Sequence, residues 1–124
     1  MSFSVLMSVY GKENPSWFRQ SVDSVFRQSK VPNEVLIVQD GTLTAELYAV
    51  CDEITKKYPN VIRYLPLAEN VGLGLALQKG VMACKNELIA RMDTDDIARP
   101  NRFELQLRQF EQMPYLSVCG GFIQ

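Results

Sequence analysis

The sequence contains no histidine. That absence removes Ser-His and Cys-His nucleophilic pairs, histidine general bases and most zinc sites. Cysteine is sparse: Cys51, Cys84 and Cys119 are odd in number, far apart and set among apolar neighbours. Such spacing suits reduced core thiols rather than a disulfide frame or a zinc knot, and it points to a cytoplasmic setting. No apolar run approaches the roughly 18 residues that a membrane span needs. Neither sign of charge is in excess, since 13 basic and 14 acidic side chains leave a net charge of -1. Without a polybasic field, nucleic acid is excluded as an expected partner and an anionic membrane surface gains no electrostatic hold. The opening "MSFSVLMSVYG" lacks the basic, apolar and small-residue order of a secretory signal, and it alternates as a strand does.

What is present fits one globular domain of 124 residues, with no internal repeat, low-complexity tract or linker. Phe3 to Val9 is rich in β-branched and aromatic residues and reads as a strand. Phe18, Val22, Val25 and Phe26 recur at a helical period, and Asn14-Pro15 ahead of them offers an N-cap and a first-turn proline. "EVLIVQD", Glu34 to Asp40, is a second strand broken by Gly41; Leu47, Val50, Cys51, Ile54 and Tyr58 then share one helical face. Val61 to Leu65 and Glu87 to Met92 predict two further strands. Between them a helix from about Gly72 to Cys84 carries Leu73, Leu77, Val81 and Cys84 on one stripe. Pro100 opens a helix with Phe103, Leu107, Phe110 and Met113 towards the core, and "LSVCGGFI" begins a fifth strand. This alternation predicts a three-layer α/β/α fold with a mostly parallel sheet covered by helices. The chain ends at Gln124, inside or just after that strand, without a closing helix, which predicts a piece of a longer protein.

In an open parallel sheet, ligands bind beyond the carboxyl ends of the strands. There the sequence places Ser8-Val9-Tyr10-Gly11, Gln39-Asp40-Gly41-Thr42, Asn70-Val71-Gly72 and Asp93-Thr94-Asp95-Asp96. Asp93, Asp95 and Asp96 are half of the chain's six aspartates, crowded into four residues. Like charges so close are tolerated when a divalent cation arrives, and Mg²⁺ or Mn²⁺ favours such oxygen ligands together with substrate phosphates. The bland alternative is a solvated acidic loop ahead of a helix. Asp40 reads either as a turn residue beside Gly41 or as an acceptor for the imide N–H of uracil. Tyr10 is a strand-end aromatic able to stack on a base, and Glu13 a first-turn acid able to reach a ribose. Asn70 and Gly72 read as a helix start, where glycine also lets backbone approach a ligand.

These residues carry a resemblance. "SVLMSVYGKENPSWFRQSVDSVFRQ", "PNEVLIVQDGTLTAEL", "ENVGLGLALQKGVMACKNELIARMDTDDIARPNRFELQL" and "VCGGFI" resemble, in order and spacing, the N-terminal nucleotide-binding half of inverting family-2 glycosyltransferases of the GT-A fold. The "QDGTLT" version is similar to the branch that builds bacterial exopolysaccharide and surface-polysaccharide units, including amylovoran-type enzymes. The resemblance implies a metal-dependent transfer of sugar from a nucleotide-diphosphate donor, a UDP-sugar by preference, to a saccharide or lipid-linked acceptor. It implies that Tyr10, Glu13 and Asp40 hold the nucleoside, with Asn70 and Gly72 beside them. Asp93 would approach the ribose or the metal, Asp95 would ligate Mn²⁺ or Mg²⁺, and Asp96 would stand behind them. Gln39 departs from relatives that carry a second acid there, and Leu77-Gln78 replaces an Arg-Asn pair. The family's base lies downstream of Gln124, so no catalytic residue is named in this chain, which is expected to transfer little sugar alone. A lipid-linked acceptor would seat the parent protein peripherally at the inner membrane face.

Other readings make different demands. A haloacid-dehalogenase-type phosphoryl-transfer domain, suggested by "VQDGT", needs a nucleophilic aspartate where Val38 stands. A sugar-nucleotide synthesising enzyme needs a glycine-rich basic loop after the first strand, and "SVYGKENPS" has one glycine and one lysine. A noncatalytic nucleotide-binding or interaction module is the alternative from another class.

Overall fold

Hydrophobic alternation along the first strands dictates the layering. The computed structural model describes the backbone of residues 2–112, 118–119 and 122–123 and the side chains of residues 2–109. Its elements are β1 (Ser4–Val9), α1 (Pro15–Phe26), β2 (Glu34–Gln39), α2 (Ala45–Lys57), β3 (Ile62–Pro66), α3 (Leu73–Ala83), β4 (Ile89–Arg91), α4 (Arg102–Gln112), β5 (Val118–Cys119) and β6 (Phe122–Ile123). In the sheet the strands lie in the order β3-β2-β1-β4-β6-β5. β1, β2, β3 and β4 pair in parallel. Val5, Met7 and Val9 alternate towards a core shared with Phe18, Val22 and Val25 of α1, Leu47 and Ile54 of α2, and Phe103 and Leu107 of α4. Leu6, Leu36, Val38 and Ile89 point the other way, onto Ala76 of α3. The three-layer α/β/α arrangement follows.

Asn14 caps α1, its side chain accepting from the N–H groups of Ser16 (2.9 Å) and Trp17 (3.1 Å), with Pro15 in the first turn. Tyr58 closes α2; its ring stacks on Phe26 at 3.7 Å between centroids, and its hydroxyl donates to Asp23 at 2.6 Å, so it ties α2 to α1.

The structure corrects the sequence reading in two places. The single fifth strand is instead β5 and β6, antiparallel to each other, with β6 antiparallel to β4. Only two residues separate them in the sequence, and a connection this short joins only antiparallel neighbours. On α3 the buried residues are Ala76 and Gly80, flanked by the partly buried Leu77, Val81 and Cys84, while Leu73 is exposed. The helix lies so close to the sheet that only small residues fit its line of contact. A Cβ on Gly80 would stand 2.5 Å from Leu6 Cδ1 and 3.0 Å from Val38 Cγ2. Met113 and the side chains of Phe110 and Cys119 lie outside the described residues; Cys51 is a buried free thiol, and Cys84 a half-buried one whose pKa burial pushes up to about 11.

At the amino end of the sheet, buried Glu34 accepts from Ser4 Oγ (2.7 Å) and the Lys85 N–H (2.9 Å) and pairs with Arg63. Burial alone would raise its pKa, but the Lys85, Ser4 and Arg63 donors outweigh burial and hold the carboxyl below the ordinary glutamate value. Glu34→Gln is expected to cost roughly 2–3 kcal/mol near neutral pH, the range for hydrogen bonds to a charged group. Because the folded pKa is depressed, this contribution is complete above the unfolded value of about 4.3 and disappears as pH falls through the folded one. Urea unfolding should therefore show the wild type and the variant converging in acid; a difference that stayed constant with pH would refute the charge-based account.

Candidate functional site

The carboxyl ends of β1, β2 and β4 open onto one rim, and the loop before α3 closes it. Asp40, directly after β2, is buried. Its Oδ1 accepts from the Val71 N–H at 2.7 Å and its Oδ2 from the Gly72 N–H at 3.1 Å, while its own N–H donates to the Val9 carbonyl at 2.8 Å. Its carboxylate thus bonds the loop that starts α3, some thirty residues away, and does not fold back on its own turn. Asn70 Nδ2 donates to the Asp40 carbonyl at 3.4 Å, which adds to the same tie. Gly72 is the N-cap of α3 at φ 91° and contributes no side-chain cap.

Ser8, Tyr10, Glu13, Asp40, Asn70, Gly72 and Leu73 line a cleft of about 360 Å³. Ser8, Glu13, Asp93, Thr94, Asp95 and Leu73 line an adjoining pocket of about 210 Å³. Ser8, Glu13 and Leu73 belong to both, so the two spaces form one trough. The structure therefore brings together Tyr10, Glu13, Asp40, Asn70, Gly72, Asp93 and Asp95. Leu73, assigned from sequence to the core stripe of α3, instead forms the trough wall, because Ala76 and Gly80 occupy the packed side of that helix. Asp96 faces a separate groove with Arg99 and Arg102.

The acidic turn is tight: the Asp96 N–H donates to the Asp93 carbonyl at 3.1 Å. It leaves carboxylate oxygens of Asp93, Asp95 and Asp96 within 4.8 Å of one another. An all-oxygen donor set at this spacing suits a hard divalent cation such as Mg²⁺ or Mn²⁺, which completes its shell with water and phosphate. Glu13 faces the same charges. Burial, then the charges of Asp95 and Asp93, raise its pKa against the lowering effect of a hydrogen bond from Thr94. Arg102 is shifted down by burial, opposed by the nearby charges of Asp96 and Asp93.

A polar ladder on α1 and just beyond its end holds this turn in place, and the sequence reading missed it. Ser21 Oγ donates to the Asp93 carbonyl at 3.0 Å, and Ser24 Oγ accepts the Ala98 N–H at 3.0 Å. Gln28 Nε2 donates to the Arg99 carbonyl at 2.5 Å, while its Oε1 accepts the Phe103 N–H at 3.1 Å. All three side chains are buried. Their i, i+3, i+7 spacing beside the apolar face was the available signal: polar groups in a buried position must find partners, and here the partners are backbone.

The family model described as "Glycosyl transferase family 2" matches residues 4–124. The chain is 40% identical over 121 residues to the amylovoran biosynthesis glycosyltransferase AmsE of Erwinia amylovora, covering 98% of this chain and 45% of that protein. It is 42% identical over 102 residues to the UDP-Gal:alpha-D-GlcNAc-diphosphoundecaprenol beta-1,3-galactosyltransferase of Escherichia coli, covering 82% of this chain and 36% of that one. It thus spans less than half the length of these relatives. Among solved structures, S. aureus TarS 1-349 in complex with UDP superposes with a TM-score of 0.75 at 20% identity, over 90% of this chain and 32% of that one. The mannosyltransferase PcManGT from Pyrobaculum calidifontis, in complex with GDP-Man and Mn2+, gives 0.69 at 19% identity, over 83% of this chain and 30% of that one. The fold is that of the GT-A glycosyltransferases.

Proposed function

The chain belongs to glycosyl transferase family 2, and from that premise we propose that it supplies the nucleotide-sugar site of an inverting, metal-dependent transferase in bacterial surface-polysaccharide synthesis. The observation that carries this reading is the continuous trough, in which a nucleoside-sized cleft joins a pocket of clustered acids at the carboxyl ends of parallel strands.

Each residue has a physical task in it. Tyr10, 40% exposed at the rim, offers a face on which a base stacks. Asp40 carboxylate oxygens retain lone pairs after accepting from Val71 and Gly72, and one of them takes the imide N–H of uracil. Glu13 lies between the cleft and the acids, where a ribose hydroxyl would sit. Asn70 and Gly72 shape the wall, and positive-φ Gly72 exposes backbone to the ligand. Asp93 contacts the ribose or the cation, Asp95 ligates the cation, and Asp96 supports them. Mn²⁺ or Mg²⁺ bound there would neutralise charge on the departing diphosphate. None of these residues is assigned as the base that takes the acceptor's proton.

The named relatives point the same way: the E. coli enzyme's name specifies a UDP-sugar and a diphosphoundecaprenol-linked acceptor, and PcManGT was solved with Mn2+. A UDP-sugar donor and a saccharide or lipid-linked acceptor are accordingly proposed, with the protein working at the cytoplasmic side of the inner membrane. Among the described residues, no helix is long and apolar enough to cross a membrane. Calorimetry of this chain with UDP should show binding that depends on Mn²⁺ and weakens at least about tenfold in chelator. An absence of UDP binding in both conditions would overturn the proposal in favour of a noncatalytic interaction module.

A further inference from the structure

We infer that Trp17, Gln20, Asp95 and Ile97 form a pyranose-binding groove at the reacting end of the donor trough. These residues line a depression of about 330 Å³, at the small end of the roughly 300–1,000 Å³ typical of ligand sites. Trp17 and Gln20 are three residues apart on α1, so they share its outer face while Phe18, Val22 and Val25 of the same helix pack inward. Trp17 is 57% exposed and Ile97 64% exposed, so the groove offers water an aromatic and an aliphatic surface.

The chemistry of the lining matches a sugar ring. A pyranose presents an apolar C–H face and an edge of hydroxyls. An indole buries the first; the Gln20 amide, donor and acceptor at once, and the Asp95 carboxylate bond the second. Position argues for the same ligand. Asp95 is common to the groove and to the acidic pocket, which itself opens into the nucleoside cleft. Base cleft, acids and groove therefore follow one another, as nucleoside, diphosphate and sugar do in the donor. The floor is firm, because Ser21 and Ser24, next along α1, fasten the backbone of the acidic turn at Asp93 and Ala98. The inference rests on the donor reading above. The ring bound is that of the sugar being transferred or of the sugar receiving it, and the chemistry of recognition is the same.

Trp17 is the only tryptophan in the chain, so its fluorescence reports directly on the groove. With Mg²⁺ in place of the paramagnetic Mn²⁺, UDP, UDP-galactose and, on UDP-saturated protein, methyl α-N-acetylglucosaminide are titrated in turn. An emission shift with UDP-galactose beyond that with UDP identifies the donor's ring; a shift on adding the glycoside identifies the acceptor's. Trp17→Ala should then weaken that sugar probe roughly tenfold in calorimetry, with UDP affinity held within about twofold, and Trp17→Phe should restore most of the loss. UDP binding with no emission change from either sugar, and unaltered affinities in Trp17→Ala, would overturn the groove alone. Failure of UDP itself to bind in the calorimeter would instead bring down the donor reading, and the groove with it.

Discussion

Asp95→Ala is expected to abolish metal-dependent UDP binding while leaving the fold intact or slightly more stable. The carboxylates of Asp93, Asp95 and Asp96 approach within 4.8 Å, and two like charges about 4 Å apart repel by about 1 kcal/mol even in water. Asp95 is exposed, and removing its charge relieves that repulsion. In the presence of cation and UDP the balance reverses, because ligand binding stabilises the native state by RT ln(1 + [L]/Kd) and the variant forgoes it. Altering groups that merely support a metal ligand costs about 10–100-fold in affinity, so loss of a ligand itself should cost about 100-fold or more. The signature is a crossing: the variant unfolds at the same or a higher temperature than the wild type in chelator, and at a lower one with Mn²⁺ and UDP. Thermal unfolding under both conditions, with calorimetry alongside, checks it. Retention of metal-dependent UDP affinity by Asp95→Ala would remove the acidic turn from the donor site.

The acidic turn of the candidate site was visible in the sequence for a simple reason. Local density of charge is visible without tertiary information, and so is the apolar strand that delivers it: the Asp93–Asp96 cluster stands out in any reading. The α1 boundary was equally plain, since Asn14 and Pro15 act through the backbone of the next three residues. What the sequence concealed were relations set by distance across the fold. Ser21, Ser24 and Gln28 look like ordinary polar residues until the turn after β4 is laid over them. The stripe of α3 held for Leu77, Val81 and Cys84, which pack against the sheet, but Leu73 was misplaced and Ala76 and Gly80 were overlooked because large apolar residues look more like core than small ones do. Only the closeness of the helix to Leu6 and Val38 explains why the small residues face inward. The antiparallel β5 and β6 were hidden because two-residue strands are too short to show a period.

Gly41→Ala is expected to couple stability to ligand affinity. At φ 83° an alanine already carries strain, of roughly 1–2 kcal/mol. Its Cβ would also lie 2.8 Å from the backbone nitrogen of Asn70 and 3.2 Å from the Glu69 carbonyl carbon. Those are main-chain atoms, so no rotamer change relieves the clash and the loop from Glu69 to Gly72 must move. That movement pulls the Val71 and Gly72 N–H groups away from the Asp40 carboxylate, which holds them at 2.7 and 3.1 Å. Strain, displaced backbone and a loosened buried carboxylate together predict a loss of roughly 2–4 kcal/mol, which a domain stable by about 5–15 kcal/mol survives. UDP affinity should fall at least about tenfold at temperatures where the variant is still folded, because both walls of the nucleoside cleft meet at this contact. Gly72→Ala separates the causes. It has nearly the same backbone angle, φ 91°, but nothing within 4 Å of its Cβ. With ψ 158° it lies in a region reserved almost entirely for glycine, so it should show backbone strain of roughly 1–3 kcal/mol without displacing the loop. UDP affinity, measured where both variants are folded, ranks the pair, and equal losses of affinity in the two would mean that the Gly41 contact with Asn70 does not hold the cleft together.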